Sequence, residues 1–320
     1  MLDRYGPVVI GGVGGSGTRL VATFLKNLDF YIGSDLNSAN DNLWFTLLLA
    51  RPSWFARSSE AEITQGIRIF EKAMMGRLSP GRREMGFIVQ SAIGLSLREY
   101  LHWGPSPLKQ AIKTIWPARV ILELSWALKR AATIYLSSGI GNATRWGWKE
   151  PCTYVYLEHL ARFFENLRYI HVIRHGLDMA YSHNQGHLYS WGHLFGVETR
   201  DWPELSPTAS LDYWIESNLT TINLGKRLLG DRFLVVNFDE LCSNPRAEVE
   251  GLVDFLKPST NRVDIDELCD LCRMPRSIGR YRQHDMSVFG KRRIDAVRKL
   301  GFVVESASLT NGGKSSAQKP

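Results

Sequence analysis

Three groups of residues in this chain have the types and positions for holding an anion. The first is "GGVGGSGTRL", Gly11 to Leu20, directly behind the apolar run from Pro7 to Ile10. A strand that empties into a glycine-rich turn and then a helix sets successive backbone N–H groups and a helix N-terminus around a phosphate. The ATP-type loop carries Gly-x-x-x-x-Gly-Lys-Ser/Thr, whereas Gly12 and Gly17 are here followed by Thr18 and Arg19. The usual lysine is absent, so a cation from elsewhere must meet the anion. The second group is "RWGWKEP", Arg145 to Pro151, which presents Lys149 where a short strand ends. The third is Arg174, at the end of the buried run "LRYIHVI".

Positioning these groups together takes a parallel sheet. After the glycine loop, Leu20, Phe24, Leu25 and Leu28 fall on one helical face, and "FYIG" reads as a short second strand. Residues 41–140 have helical periods broken at Pro52, Pro80-Gly81, Gly104-Pro105 and Pro117, which reads as a helical insertion on the substrate side. A helix carrying Tyr154, Leu157, Leu160, Ala161 and Phe164 leads to the strand before Arg174. The stretch from His187 to Pro207 is long, aromatic and punctuated, as a surface loop or lid would be. A long helix over "SLDYWIESNLTTINLGKRLL", a strand over "RFLVVNF" and a capped helical pair over "DELCSNPRAEVEGLVDFL" complete the alternation. Such alternation predicts an α/β fold, a central parallel sheet flanked by helices, with the ligand beyond the strands' carboxyl ends. The loop from Gly12 to Thr18, Lys149 and Arg174 then share one edge. Residues 1–303 read as a single domain, and residues 304–320 have the polar Gly/Ser/Lys composition of a disordered tail.

Composition narrows the partners. Hydrophobic residues are 44% and charged residues 22% of the 320-residue chain, ordinary globular usage that argues against bulk disorder. A net charge of +7 suits an anionic ligand, but the basic residues are dispersed and no base-reading motif is present, so no nucleic acid is expected. No apolar run approaches the roughly 20 residues of a membrane span, and "MLDRYGPVVI" lacks the basic-then-apolar pattern of a signal peptide. The expected location is cytoplasmic. Of the four cysteines only Cys269 and Cys272 are close, without a second ligand pair, so they read as helical thiols rather than a zinc site.

Taken together the three groups resemble the sulfotransferase family, which uses 3′-phosphoadenosine-5′-phosphosulfate (PAPS) on a P-loop kinase-like fold. "GGSGTR" is similar to that family's 5′-phosphosulfate loop. "IRHGLDMAYS" is similar to its 3′-phosphate motif, an arginine at a strand end followed eight residues later by a serine, here Arg174 and Ser182. "WKEP" resembles the Lys-x-Pro segment of carbohydrate- and tyrosyl-protein-type members, and "IGRYRQH" resembles the C-terminal Gly-Arg-aromatic-Arg segment. The agreement runs over roughly residues 7 to 285, the insertion apart, and is nearer to the bacterial, carbohydrate and tyrosyl-protein type than to the cytosolic small-molecule type. It implies a three-layer P-loop kinase-like fold and a PAPS-dependent enzyme that needs no metal. The implied acceptor is a hydroxyl on a glycan, lipid or other small molecule.

The resemblance also implies roles. Gly14, Gly15, Ser16, Gly17 and Thr18 would cradle the 5′-phosphosulfate, Lys149 would neutralise the leaving oxygen, and Arg174 with Ser182 would hold the 3′-phosphate. The segment "GRYRQH" would close over the adenosine, with Tyr281 stacking and Arg280 or Arg282 near a phosphate. The family usually has Arg or Lys where Gly15 stands, so Arg19 or Lys149 would replace that cation. A carboxylate shortly after the first helix serves as base in some members, which singles out Asp35 first and Asp41 second, with His183 and His187 as further candidates. Two rival readings stand beside this one. An ATP-dependent P-loop kinase would want the missing lysine, and a catalytically inactive nucleotide-binding relative would explain Gly15.

Overall fold

A computed structural model describes residues 6–79, 81–94, 124–197, 206–258 and 263–305. Its centre is a parallel sheet of β1 (Val8–Gly11), β2 (Phe30–Tyr31), β3 (Arg145–Lys149), β4 (Arg168–Ile173) and β5 (Phe233–Asn237), in the order β2-β3-β1-β4-β5. The glycine loop follows the middle strand, so the ligand edge has neighbours on both sides. In register, Ile10 of β1 lies beside Lys149 of β3 and Ile170 of β4. Gly147 is needed where β3 crosses β1, because a Cβ there would run into the Val8 carbonyl.

Alternation along the strands sends side chains to two separate cores, as a sheet covered on both faces requires. Val8, Ile10, Ile170, Val172 and Val236 face helix α1 (Thr18–Asn27) and the helix Pro245–Leu256. On the opposite face Val9, Trp146, Trp148, Tyr169 and Ile173 pack with Phe45, Phe70 and Trp214. Trp148 is fully buried, with Phe45 stacked at 5.9 Å and Phe70 edge-on at 4.9 Å between ring centroids. Helix α2 (Leu43–Leu48) brings Phe45 there, and helix α3 (Glu60–Met74) brings Phe70. Both begin on side-chain caps, Asn42 for α2 and a Ser59/Glu62 capping box for α3.

The sequence-predicted strands and the long helix, observed as Pro207–Leu229, are all present. Within residues 41–140 the described portions are largely helical, at Leu43–Leu48, Pro52–Phe55, Glu60–Met74, Arg82–Gly94 and 124–135. The punctuation at Pro80, Gly104-Pro105 and Pro117 lies outside the described residues, as do residues 306–320 of the expected tail. The stretch from His187 is not a plain loop: Gly186–Trp191 is helical and Gly192–Phe195 forms a 3₁₀ turn. Leu188 and Trp191 are buried there, so apolar burial outweighs the glycine punctuation that reads as a loop. Residues 198–205 of that stretch are outside the description.

Candidate functional site

Beyond the carboxyl ends of β1, β3 and β4 lies a cavity of about 700 Å³. Its walls include Gly14, Gly15, Gly17, Thr18 and Arg19 from the loop, Asp41, Lys149 and Glu150 from the β3 side, and Arg174 from β4. Asn184, His187, Phe238 and Arg273 close the remaining sides.

The loop owes its shape to glycine at two positions. Gly15 and Gly17 have φ of 96° and 97°, in the left-handed region that side-chain-bearing residues avoid. At Gly17 a Cβ would also drive into the Phe238 ring. The position where the resemblance expects a cation is therefore held in a backbone conformation that disfavours one. Ser16 does not turn towards the cavity. It is buried, its hydroxyl donates to the Val13 carbonyl, and its N–H donates to the same oxygen at 3.0 Å. Thr18 opens α1 and is buried at the cavity wall, while Arg19 is exposed at the rim.

Lys149 is 2% exposed, an expensive place for an ammonium without partners. Its Nζ donates to Asp41 Oδ1 and, at 3.1 Å, to the Ala39 carbonyl. Asp41 Oδ2 accepts from Asn37 Nδ2 at 2.6 Å, so both carboxylate oxygens are engaged. Asp35 stands away from the cavity, tied to Arg130 Nε at 3.3 Å and Thr133 Oγ1 at 2.9 Å. The first-choice base and the cavity are thus in different places, because the turn after β2 directs Asp35 to the 124–135 helix.

Arg174 is held by contacts within the protein. Nη2 donates to Ser277 Oγ at 2.7 Å, Nη1 reaches the Gly15 carbonyl at 3.4 Å, and the guanidinium lies 5.3 Å from the Phe238 ring centre. Its Nε is buried without a hydrogen-bond partner. Burial lowers its pKa, opposed by Asp239 and Asp178. An orphaned donor on a buried cation that faces a cavity fits an anionic oxygen as its missing partner.

The segment expected over the adenosine sits behind this wall. Asp178 accepts from the Gly279 N–H at 2.7 Å and the Tyr281 N–H at 3.0 Å. Tyr281 is buried and stacked on His175 at 4.6 Å, and Arg282 Nη2 pairs with Glu305 at 3.0 Å. Ser182 accepts from the Asn184 N–H at 3.2 Å. None of Ser182, Tyr281 and Arg282 lines the cavity. Eight residues after Arg174 the helix Gly176–Ala180 has already ended, so the expected spacing does not carry Ser182 back to the site.

His187 approaches the loop closely enough that a Cβ on Gly14 would meet its ring at 2.8 Å. Burial pushes its imidazole down to about 4, so the ring is neutral at neutral pH, and Nδ1 lies 3.4 Å from the Tyr154 hydroxyl. His183 is exposed and outside the wall. Glu150, Asn184, Phe238 and Arg273 are among the wall residues that the motifs leave unassigned. Glu150 had a signal, since it follows Lys149 directly at a strand end. Arg273 had none, because it returns to the site from well beyond the last strand. Among the described residues no cluster of His, Cys, Asp and Glu is arranged to hold a metal, and no helix is long and apolar enough to cross a membrane.

No curated protein matches this chain. Among solved structures, the sulfotransferase domain of the Synechococcus PCC 7002 olefin synthase aligns at 16% identity and a TM-score of 0.41, covering 94% of this chain and 97% of that domain. The sulfotransferase domain from the curacin biosynthetic pathway aligns at 12% identity and 0.45, covering 94% and 99%. Sulfotransferase STF9 from Mycobacterium avium aligns at 13% and 0.42, covering 83% and 67%. The profile of the sulfotransferase family matches residues 7–261, from the strand before the glycine loop to beyond the last strand of the sheet, and the chain belongs to that family.

Proposed function

We propose that this sulfotransferase takes its sulfuryl group from PAPS and passes it to an acceptor hydroxyl on a small molecule or glycan. The observation that carries the proposal is the meeting of the glycine loop, buried Lys149 and under-partnered Arg174 on one cavity. The N–H groups of Gly14, Gly15, Gly17 and Thr18, with the start of α1, would receive the 5′-phosphosulfate. Lys149 would meet the charge that grows on the bridging oxygen as the sulfuryl group departs, a stabilisation made only in the transition state. It is better placed than Arg19 to replace the loop cation, being buried and fixed where Arg19 is at the rim. Asp41 then acts on Lys149 as its anchor. Arg174 would take the 3′-phosphate through the guanidinium that it presents at the cavity wall. Ser16 supports the loop from beneath, and Tyr281 supports the Arg174 wall through His175. Ser182 and Arg282 are left without a direct role.

Calorimetric titration with 3′-phosphoadenosine-5′-phosphate, beside ADP and Mg-ATP at one salt concentration, tests this reading. The expected result is preference for the 3′-phosphorylated nucleotide, reduced on the order of 100-fold in Arg174→Ala, as the loss of a charge-assisted pair implies. Preference for Mg-ATP would move the assignment to a kinase, and no binding by any of the three would sink both.

A further inference from the structure

Glu150 is a carboxyl group at the cavity wall that neither the motifs nor the sulfuryl-donor site employs. It is 7% exposed, and its backbone continues β3 past Lys149 with its N–H directed to the Ile10 carbonyl at 3.3 Å. Its Oε2 lies 2.8 Å from Thr46 Oγ1. That hydroxyl also lies 3.2 Å from the Asn42 carbonyl. A hydroxyl has one proton to donate. When Glu150 is ionised, the Thr46 proton points to it. When Glu150 is protonated, it donates to Thr46 Oγ1, which turns its own proton to Asn42. Both protonation states of Glu150 therefore have a satisfied partner in the same side-chain geometry, which is what a group that gains and loses a proton in each cycle needs.

The competing groups are otherwise occupied. Asp41 gives one oxygen to Lys149 and the other to Asn37, Asp35 is outside the cavity, and His187 is directed to Tyr154. The groups that face Glu150 are Asp41, Lys149, Thr46 and Cys152. Burial, reinforced by Asp41, raises its pKa to about 7, against the lowering influence of Thr46 and Lys149. A base is most useful when its pKa lies near the working pH.

We propose that Glu150 is the general base of sulfuryl transfer, and this inference rests on the reading of the site given above. Its carboxylate takes the proton of the acceptor hydroxyl as the acceptor oxygen bonds to sulfur. The bond from sulfur to the bridging oxygen breaks, and its electron pair stays on the phosphate, beside Lys149. Thr46 is a positioning residue for Glu150.

The test uses PAPS labelled in its sulfate, with water as the acceptor, and follows sulfate release from pH 5 to pH 9. The wild type is expected to show a rate that rises to a plateau with a midpoint near 7. Glu150→Gln should lose the rising limb and on the order of 100-fold of the plateau, while its calorimetric affinity for 3′-phosphoadenosine-5′-phosphate stays within about threefold. Thr46→Val should keep the limb and move it to higher pH, because the ionised carboxylate loses a donor. A Glu150→Gln variant that binds the bisphosphate and keeps both rate and limb overturns the assignment. So does a wild type that binds the bisphosphate and releases sulfate at a rate with no rising limb between pH 5 and pH 9. A wild type that fails to bind it overturns instead the reading on which the inference rests.

Discussion

Trp148 and Lys149 are consecutive residues of β3, both withdrawn from solvent, and the regions they belong to obey different rules. The sheet interior around Trp148 is aromatic and aliphatic, with stacked and edge-on rings at ordinary contact distances. The carboxyl edge around Lys149 buries Glu150, Arg174, Ser16 and Thr18 within a few residues of each strand end. Burial in the interior lowers the free energy of the fold through apolar area removed from water. Burial at the edge works against it, since a desolvated charge is tolerated only with partners, and at Arg174 one donor remains without any. Equal burial thus marks structure in one place and readiness for a ligand in the other.

Substitutions on either side of that boundary should separate cleanly. The largest effect on folding is expected from Trp148→Ala, which removes the ring shared by Phe45, Phe70 and Phe164 and should cost about 3–5 kcal/mol in urea unfolding. A loss under 1 kcal/mol would mean that the aromatic cluster collapses around the gap and the interior is less specified than its packing indicates. Lys149→Met should do the reverse. Its turnover should fall by about 100- to 1,000-fold, the size of one lost transition-state donor, while its unfolding midpoint moves less than that of Trp148→Ala. An unfolding midpoint that falls further than Trp148→Ala's would return Lys149 to the structural side. Smallest is Arg246→Ala, on the helix Pro245–Leu256, whose partners Glu250 on the same helix and Asp266 on the helix Ile265–Asp270 are both exposed. Neither turnover nor thermal midpoint should move measurably, since exposed pairs contribute little.

The same boundary separates what could be read from the sequence from what could not. Strands buried on both faces are near-continuous apolar runs, so β1 and β4 are visible, β5 is a short apolar run at the sheet edge, and the glycine loop announces itself by composition. Lys149 and Arg174 were legible because each ends such a run. Asp35 and Ser182 lie away from the cavity, and counting along the chain does not report where a turn points. Asp35 is drawn off by Arg130 and Thr133, and the helix that would carry Ser182 ends two residues short of it. Glu150 was in plain view, yet its use depends on Thr46 and Asn42, more than a hundred residues earlier. Arg273 enters the wall through the long return of the chain after the sheet is complete.

That return has a kinetic consequence. Ser277 and the Gly15 carbonyl fix the Arg174 guanidinium over Phe238, and Asp178 secures the segment that carries Ser277 by its backbone at Gly279 and Tyr281. Few rotamers are left for Arg174 to lose when an anion arrives, so little of the association free energy goes into ordering it. Loosening the strap through Asp178→Ala would leave every group assigned to the ligand chemically unchanged and free only the Arg174 guanidinium. It should shorten the residence time of the bound nucleotide more than it slows capture, because ordering lost from the free protein is felt chiefly in the rate of escape.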